Sequence, residues 1–101
     1  MSSLEAELRL PSDHPAFAGH FPGHPILPGV VLLSEALARI ASATHAPPHS
    51  FSLAQCKFLK PVAPGAKLAF SCEGLAEGTV SFEFRDGEAA VASGAFTRND
   101  P

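Results

Sequence analysis

Three prolines, Pro22, Pro25 and Pro28, stand at three-residue intervals just ahead of the apolar run Val30 to Ile40. Each fixes φ and lacks a backbone donor, so none fits a helix interior or a central strand. The segment His20-Phe21-Pro22-Gly23-His24-Pro25-Ile26-Leu27-Pro28-Gly29 therefore reads as a stiff, extended loop that delivers the chain to a helix. Proline suits a first helical turn, where the N–H groups have no partner within the helix. Such a loop aims a titratable imidazole at unpaired backbone donors, which is the geometry of a site.

Beyond Gly29, through about His45, the chain holds Ala, Leu, Val, Ile, Ser, Glu and Arg and no further Gly or Pro. This predicts a central helix over about 29–45. At 100° per residue, Val30, Leu33, Leu37, Ile40, Ala41 and Thr44 fall on one side, opposite a polar stripe of Glu35, Arg39 and Ser42. Val31, Leu32, Ala36 and Ala38 fill the flanks, so most of the circumference is apolar and the helix is expected to be wrapped nearly all round. Ala46-Pro47-Pro48-His49 ends it.

Strands frame this helix. Leu4 to Leu10 alternates apolar and charged residues at the period of a half-buried strand, and Pro11-Ser12-Asp13-His14-Pro15 stops it with turn chemistry. Four more candidates follow: Phe51 to Val62, irregular in its alternation; Lys67 to Glu73; Thr79 to Arg85; and Glu88 to Arg98, entered through the hairpin signal Asp86-Gly87. Phe70, Phe82, Phe84 and Phe96 are candidate core residues. The last strand is rich in Ala and Gly, as though something packs very close to it. The order is strand, long loop, one buried helix, then an antiparallel meander of four strands: α+β, with the sheet curled on the helix. So short a chain leaves one sheet face uncovered, and a dimer with a continuous sheet is the expected solution.

With 101 residues the chain is read as one domain, 1–101, large enough for a single core. A net charge of −3 argues against nucleic acid, which wants a basic stripe. No apolar run reaches the roughly 18 residues of a membrane span, and the N-terminus has no targeting pattern. Cys56 and Cys72 then read as reduced, buried thiols of a cytoplasmic protein. His20 and His24 are spaced for one helical face, but the prolines forbid that helix and no Glu follows the first His, so no metal is expected. His14, His24, His45 and His49 read as surface residues.

The block Phe17-Ala18-Gly19-His20-Phe21-Pro22-Gly23-His24-Pro25-Ile26-Leu27-Pro28-Gly29-Val30 resembles the active-site signature of the β-hydroxyacyl-acyl-carrier-protein dehydratases (FabA/FabZ-like, ApeI-like), which have the hotdog fold. The resemblance continues into Lys57-Phe58-Leu59-Lys60-Pro61-Val62-Ala63-Pro64-Gly65 and the closing hairpin, covering the chain from about residue 12. It implies a sheet wrapped on the central helix and dimerised so that the site lies between two subunits. It implies that His20 takes the C2 proton of a (3R)-hydroxyacyl thioester. The N–H of Gly29, with that of Val30, would hold the thioester carbonyl as it gains enolate charge. The chemistry agrees: proton removal next to a carbonyl needs a base with a pKa near the working pH and donors preorganised at the developing oxyanion. No cofactor is expected, because this elimination needs only acid–base work and oxyanion support.

One position departs from the resemblance. The family's acid lies fourteen residues after the histidine, which here is Ser34, with the carboxylate Glu35 one residue later. One step on a helix is about 100° of rotation, so Glu35 is not expected to point where the acid points. Three readings stand open. A local helix irregularity or register shift brings Glu35 into the site; or the chain is a degenerate subunit paired with an active paralogue; or Ser34 with a bound water serves a different or weaker activity. For Glu35 the plain alternative is an i,i+4 surface pair with Arg39. The leading expectation is a dehydratase acting on an acyl-carrier-protein-bound thioester in fatty-acid or polyene-type synthesis, as a homodimer or with a related hotdog chain. An acyl thioesterase is the lesser rival. Lys57, Lys60 and Arg98 are candidates to meet an acidic carrier, or are merely solvated.

Overall fold

The structure, a computed structural model, describes residues 3–9, 29–63 and 65–99. It contains β1 (Ser3–Arg9), α1 (Gly29–Thr44), a short 3₁₀ turn (Pro48–Ser50), β2 (Phe51–Phe58), β3 (Lys67–Glu73), β4 (Thr79–Asp86) and β5 (Ala89–Arg98). One helix packs on one five-stranded antiparallel sheet, the α+β arrangement expected. The proline-braced loop, with His14, His20 and His24, lies outside the described residues.

Alternation decides which face of the sheet is inside. Leu68, Phe70 and Cys72 of β3 and Val80, Phe82 and Phe84 of β4 are all buried, while their neighbours in sequence face outward. The pairing of Phe70 with Phe84 and of Cys72 with Phe82 brings these side chains into rows across the sheet. The rings of Phe70 and Phe84 lie 5.1 Å apart, and those of Phe82 and Phe96 5.4 Å. Leu32, Ala36, Ile40 and Ala41 of α1 close this aromatic floor from above.

The strand order is β1-β3-β4-β5-β2. Only β3, β4 and β5 therefore form the meander that the sequence suggests. β2 does not pair with β3; it crosses to the far edge and pairs antiparallel with β5. It also stops at Phe58, short of Val62, and its register slips between Leu53 and Gln55, a bulge that accounts for its irregular alternation. The close approach expected along the last strand is real. A Cβ on Gly94 would collide with the Gln55 carbonyl and lie 2.8 Å from the Phe82 ring.

The helix ends at Thr44, and its buried face overlaps the expected one only at Ile40 and Ala41. Leu32, Ala36 and Ile40 form the buried column, whereas Val30, Ser34, Ala38 and Ser42, four residues apart, form an exposed one. Leu33, Leu37 and Thr44 are half-buried between them. Hydrophobicity alone cannot rank faces on a helix apolar over most of its circumference; contact with the phenylalanine floor does, and slender Ala36 lets the helix settle there. The expected enclosure on nearly all sides is accordingly not met within one chain.

Both thiols are free, but only Cys72 is buried as expected; Cys56 is half-buried because β2 is an edge strand. Burial raises both thiol pKa values; at Cys72 a hydrogen bond from the Leu4 backbone opposes this and the Glu73 charge adds to it. Because the folded pKa is the higher one, stability falls as pH climbs through the unfolded thiol range. At neutral pH, iodoacetamide followed by mass spectrometry should label Cys56 well before Cys72. Equal rates on the folded chain would show that the sheet does not seal Cys72.

Candidate active site

The candidate site is built on the first two turns of α1. Among the described residues α1 starts at Gly29, and the first N–H groups of a helix have no acceptor within it. The positive end of the helix dipole adds to their attraction for developing negative charge. Val30 itself is 64% exposed.

Gly29 sits close against an aromatic ring. A Cβ placed there would meet the Phe58 ring at 2.6 Å from Cε1 and 2.7 Å from Cζ. Phe58 pairs with Ala92, which in turn pairs with Phe84, so the three share the inner face of the sheet. That row carries the end of β2 under the start of α1. Sequence reading missed this contact, because it depends on β2 crossing to β5.

Ser34 and Glu35 part company on the helix. Ser34 stands in the exposed column with Val30 and Ala38, pointing away from this chain's own core. Glu35 is one step round and half-buried, with its Oε1 accepting from Arg39 Nη1 at 2.5 Å. The same Arg39 nitrogen also donates to the Glu35 carbonyl at 3.1 Å. The helix is regular through this stretch, so no local irregularity turns Glu35 to the Ser34 position. Pairs of this kind contribute only about 0.3–0.5 kcal/mol to stability.

Lys57, Lys60 and Arg98 are exposed, as are His45 and His49. Arg98 stacks over Phe51, its guanidinium carbon 5.9 Å from the ring centre. No group of three or more His, Cys, Asp or Glu side chains able to hold a metal occurs among the described residues.

Against known protein families, residues 1–95 match the model of the ApeI-like family, described as ApeI dehydratase. The chain belongs to the ApeI-like dehydratase family. A FabZ-type 3-hydroxyacyl-[acyl-carrier-protein] dehydratase from Wolbachia pipientis subsp. Culex pipiens is 34% identical over 91 residues, covering 80% of this chain and 63% of that one. One from Mannheimia succiniciproducens is 38% identical over 90 residues, covering 78% and 59%. The match to another, from Syntrophotalea carbinolica, spans 47% of that protein, so this chain covers about half to two thirds of the length of these curated relatives. Among solved structures, the dehydratase heterocomplex ApeI:P from Xenorhabdus doucetiae superposes with a TM-score of 0.84 at 24% identity, covering 98% of this chain and 88% of that one. The fold of this ApeI-like chain is thus the hotdog, one helix on an antiparallel sheet. No helix among the described residues is long and apolar enough to cross a membrane.

Proposed function

We propose that this chain eliminates water from a (3R)-hydroxyacyl thioester carried on acyl carrier protein, giving the trans-2-enoyl thioester. His20 takes the C2 proton, and the amides of Gly29 and Val30 hold the thioester oxygen as it becomes an enolate. What supports the reading is the His-Phe-Pro-Gly block standing directly ahead of the helix described from Gly29. A base positioned in this way contributes about 10²–10⁴-fold, and each oxyanion donor about 10²–10³-fold. Neither needs a metal or cofactor.

The hydroxyl at C3 also needs a proton donor as it leaves. Glu35 is the nearest carboxylate in sequence to the acid register, but it is engaged by Arg39. Ser34 holds the register itself and is exposed on the helix. This pair of observations favours a second reading, in which a related hotdog chain paired across the open β2 edge supplies the acid. β2 is suited to such pairing, since Leu53 and the adjoining Leu59 are each about half exposed, at 47% and 52%. The opposite edge strand, β1, turns Glu5, Glu7 and Arg9 outward, charges that discourage edge pairing.

The test follows enoyl formation from a 3-hydroxyacyl carrier thioester with wild type, Ser34→Asp and Glu35→Gln. Expected are weak turnover by the wild-type chain alone, a gain of tenfold or more in Ser34→Asp by the size of general acid catalysis, and little change in Glu35→Gln. Loss of activity in Glu35→Gln would return the acid role to Glu35. Free thiol release without enoyl product would replace the dehydratase by a thioesterase.

A further inference from the structure

Phe58 occupies a place that core packing does not explain. Phe70 and Phe84 are sealed inside the sheet at 1% and 0% exposure, whereas Phe58 remains 53% exposed at the end of an edge strand. Its other side is committed. Three atoms of the ring, Cε1, Cζ and Cδ1, lie 2.6, 2.7 and 2.9 Å from the point where a Gly29 Cβ would sit. On a helix the Cα–Cβ direction tilts toward the N-terminus, so the ring stands on the amide side of Gly29 rather than behind it. Val30, also exposed, flanks the same end.

Resting on the dehydratase reading above, we propose that Phe58 is the apolar wall of the thioester pocket. One edge of the ring holds the Gly29 backbone in place, and its open face lies against the thioester carbonyl. The ring thereby keeps water from one side of the Gly29 N–H. A hydrogen bond to a developing oxyanion is worth most where water cannot compete for the donor and where the donor is already aimed. A phenyl ring can do both without offering a competing acceptor of its own. A methyl at position 29 would have to displace the ring from where it now stands.

The proposal is tested with Phe58→Ala and Phe58→Leu in the full chain, alone or with whichever related chain gives wild-type turnover. The substrate is a 3-hydroxyacyl carrier thioester, and binding is followed separately with the saturated acyl thioester that cannot eliminate. Phe58→Ala should lower kcat by about tenfold or more, on the scale of a weakened oxyanion donor. KM and the melting temperature should change little, and Phe58→Leu should recover much of the loss. Gly29→Ala should be impaired more than Gly29→Ala/Phe58→Ala, because removing the ring makes room for the added methyl. Unchanged kcat in Phe58→Ala would overturn the proposal. So would a rise in KM alone, which would make the ring a general contact surface, or a loss of kcat that only tracks unfolding. If wild type neither binds the saturated thioester nor forms enoyl product, the dehydratase reading itself fails. If wild type does both and the Phe58 variants match it, only the wall is refuted.

Discussion

His20→Ala should abolish measurable enoyl formation, a loss of about 10²–10⁴-fold by the size of general base catalysis, with folding unaltered. The C2 proton next to a thioester is weakly acidic, and the enolate formed on its removal must be stabilised while the base departs with it. Imidazole titrates close to neutral pH, so it can accept that proton and still exist largely as free base beforehand. In the proposed mechanism the amides at the start of α1 hold the oxygen and are untouched by the substitution, so residual binding of the saturated thioester should survive. The measurement is enoyl absorbance in the state, alone or paired, in which wild type is active, beside a thermal melt of each protein. Activity within a few fold of wild type would remove the histidine from the chemistry and leave the signature block a structural role.

The residues differ in how far they announced their places. Leu68, Phe70 and Cys72, like Val80, Phe82 and Phe84, alternate without interruption, and a period of two admits only one inner face. The strands they form were legible for that reason. β2 was not, because its choice of partner is a long-range one. Nothing local in Phe51 to Phe58 distinguishes pairing with β3 from pairing with β5, and the bulge beyond Leu53 breaks the alternation that would fix its face. The helix was legible as a helix but not as to its buried column, since Leu33 and Leu37 are as hydrophobic as Leu32. Contact with the sheet chose Leu32, Ala36 and Ile40. The Glu35–Arg39 pair followed from i,i+4 spacing, whereas Phe58 against Gly29 joins residues separated by a whole helix and strand. Local order was readable; the contacts that complete the candidate site come from topology.

The same contrast predicts the largest effect on stability. Phe84→Ala should destabilise the chain by about 3–5 kcal/mol, the usual cost of emptying a fully buried phenylalanine site. Phe84 is 0% exposed, and its ring lies 5.1 Å from that of Phe70 and 6.3 Å from that of Phe82. Its flanking partners across the sheet are Phe70 and the small Ala92, and Ala92 cannot swell to fill the void. A domain of this size has a total stability of about 5–15 kcal/mol, so the loss is a large share of it. At roughly 4–8 °C per kcal/mol, the melting temperature should drop by tens of degrees. Phe58→Ala removes the same atoms from a ring already half in solvent, so it should cost much less. Thermal melts of the two variants side by side give the decisive comparison. If Phe58→Ala proved the more damaging, the ring at the edge would be a main support of the fold, and the aromatic row centred on Phe84 would not be what holds the sheet to its helix.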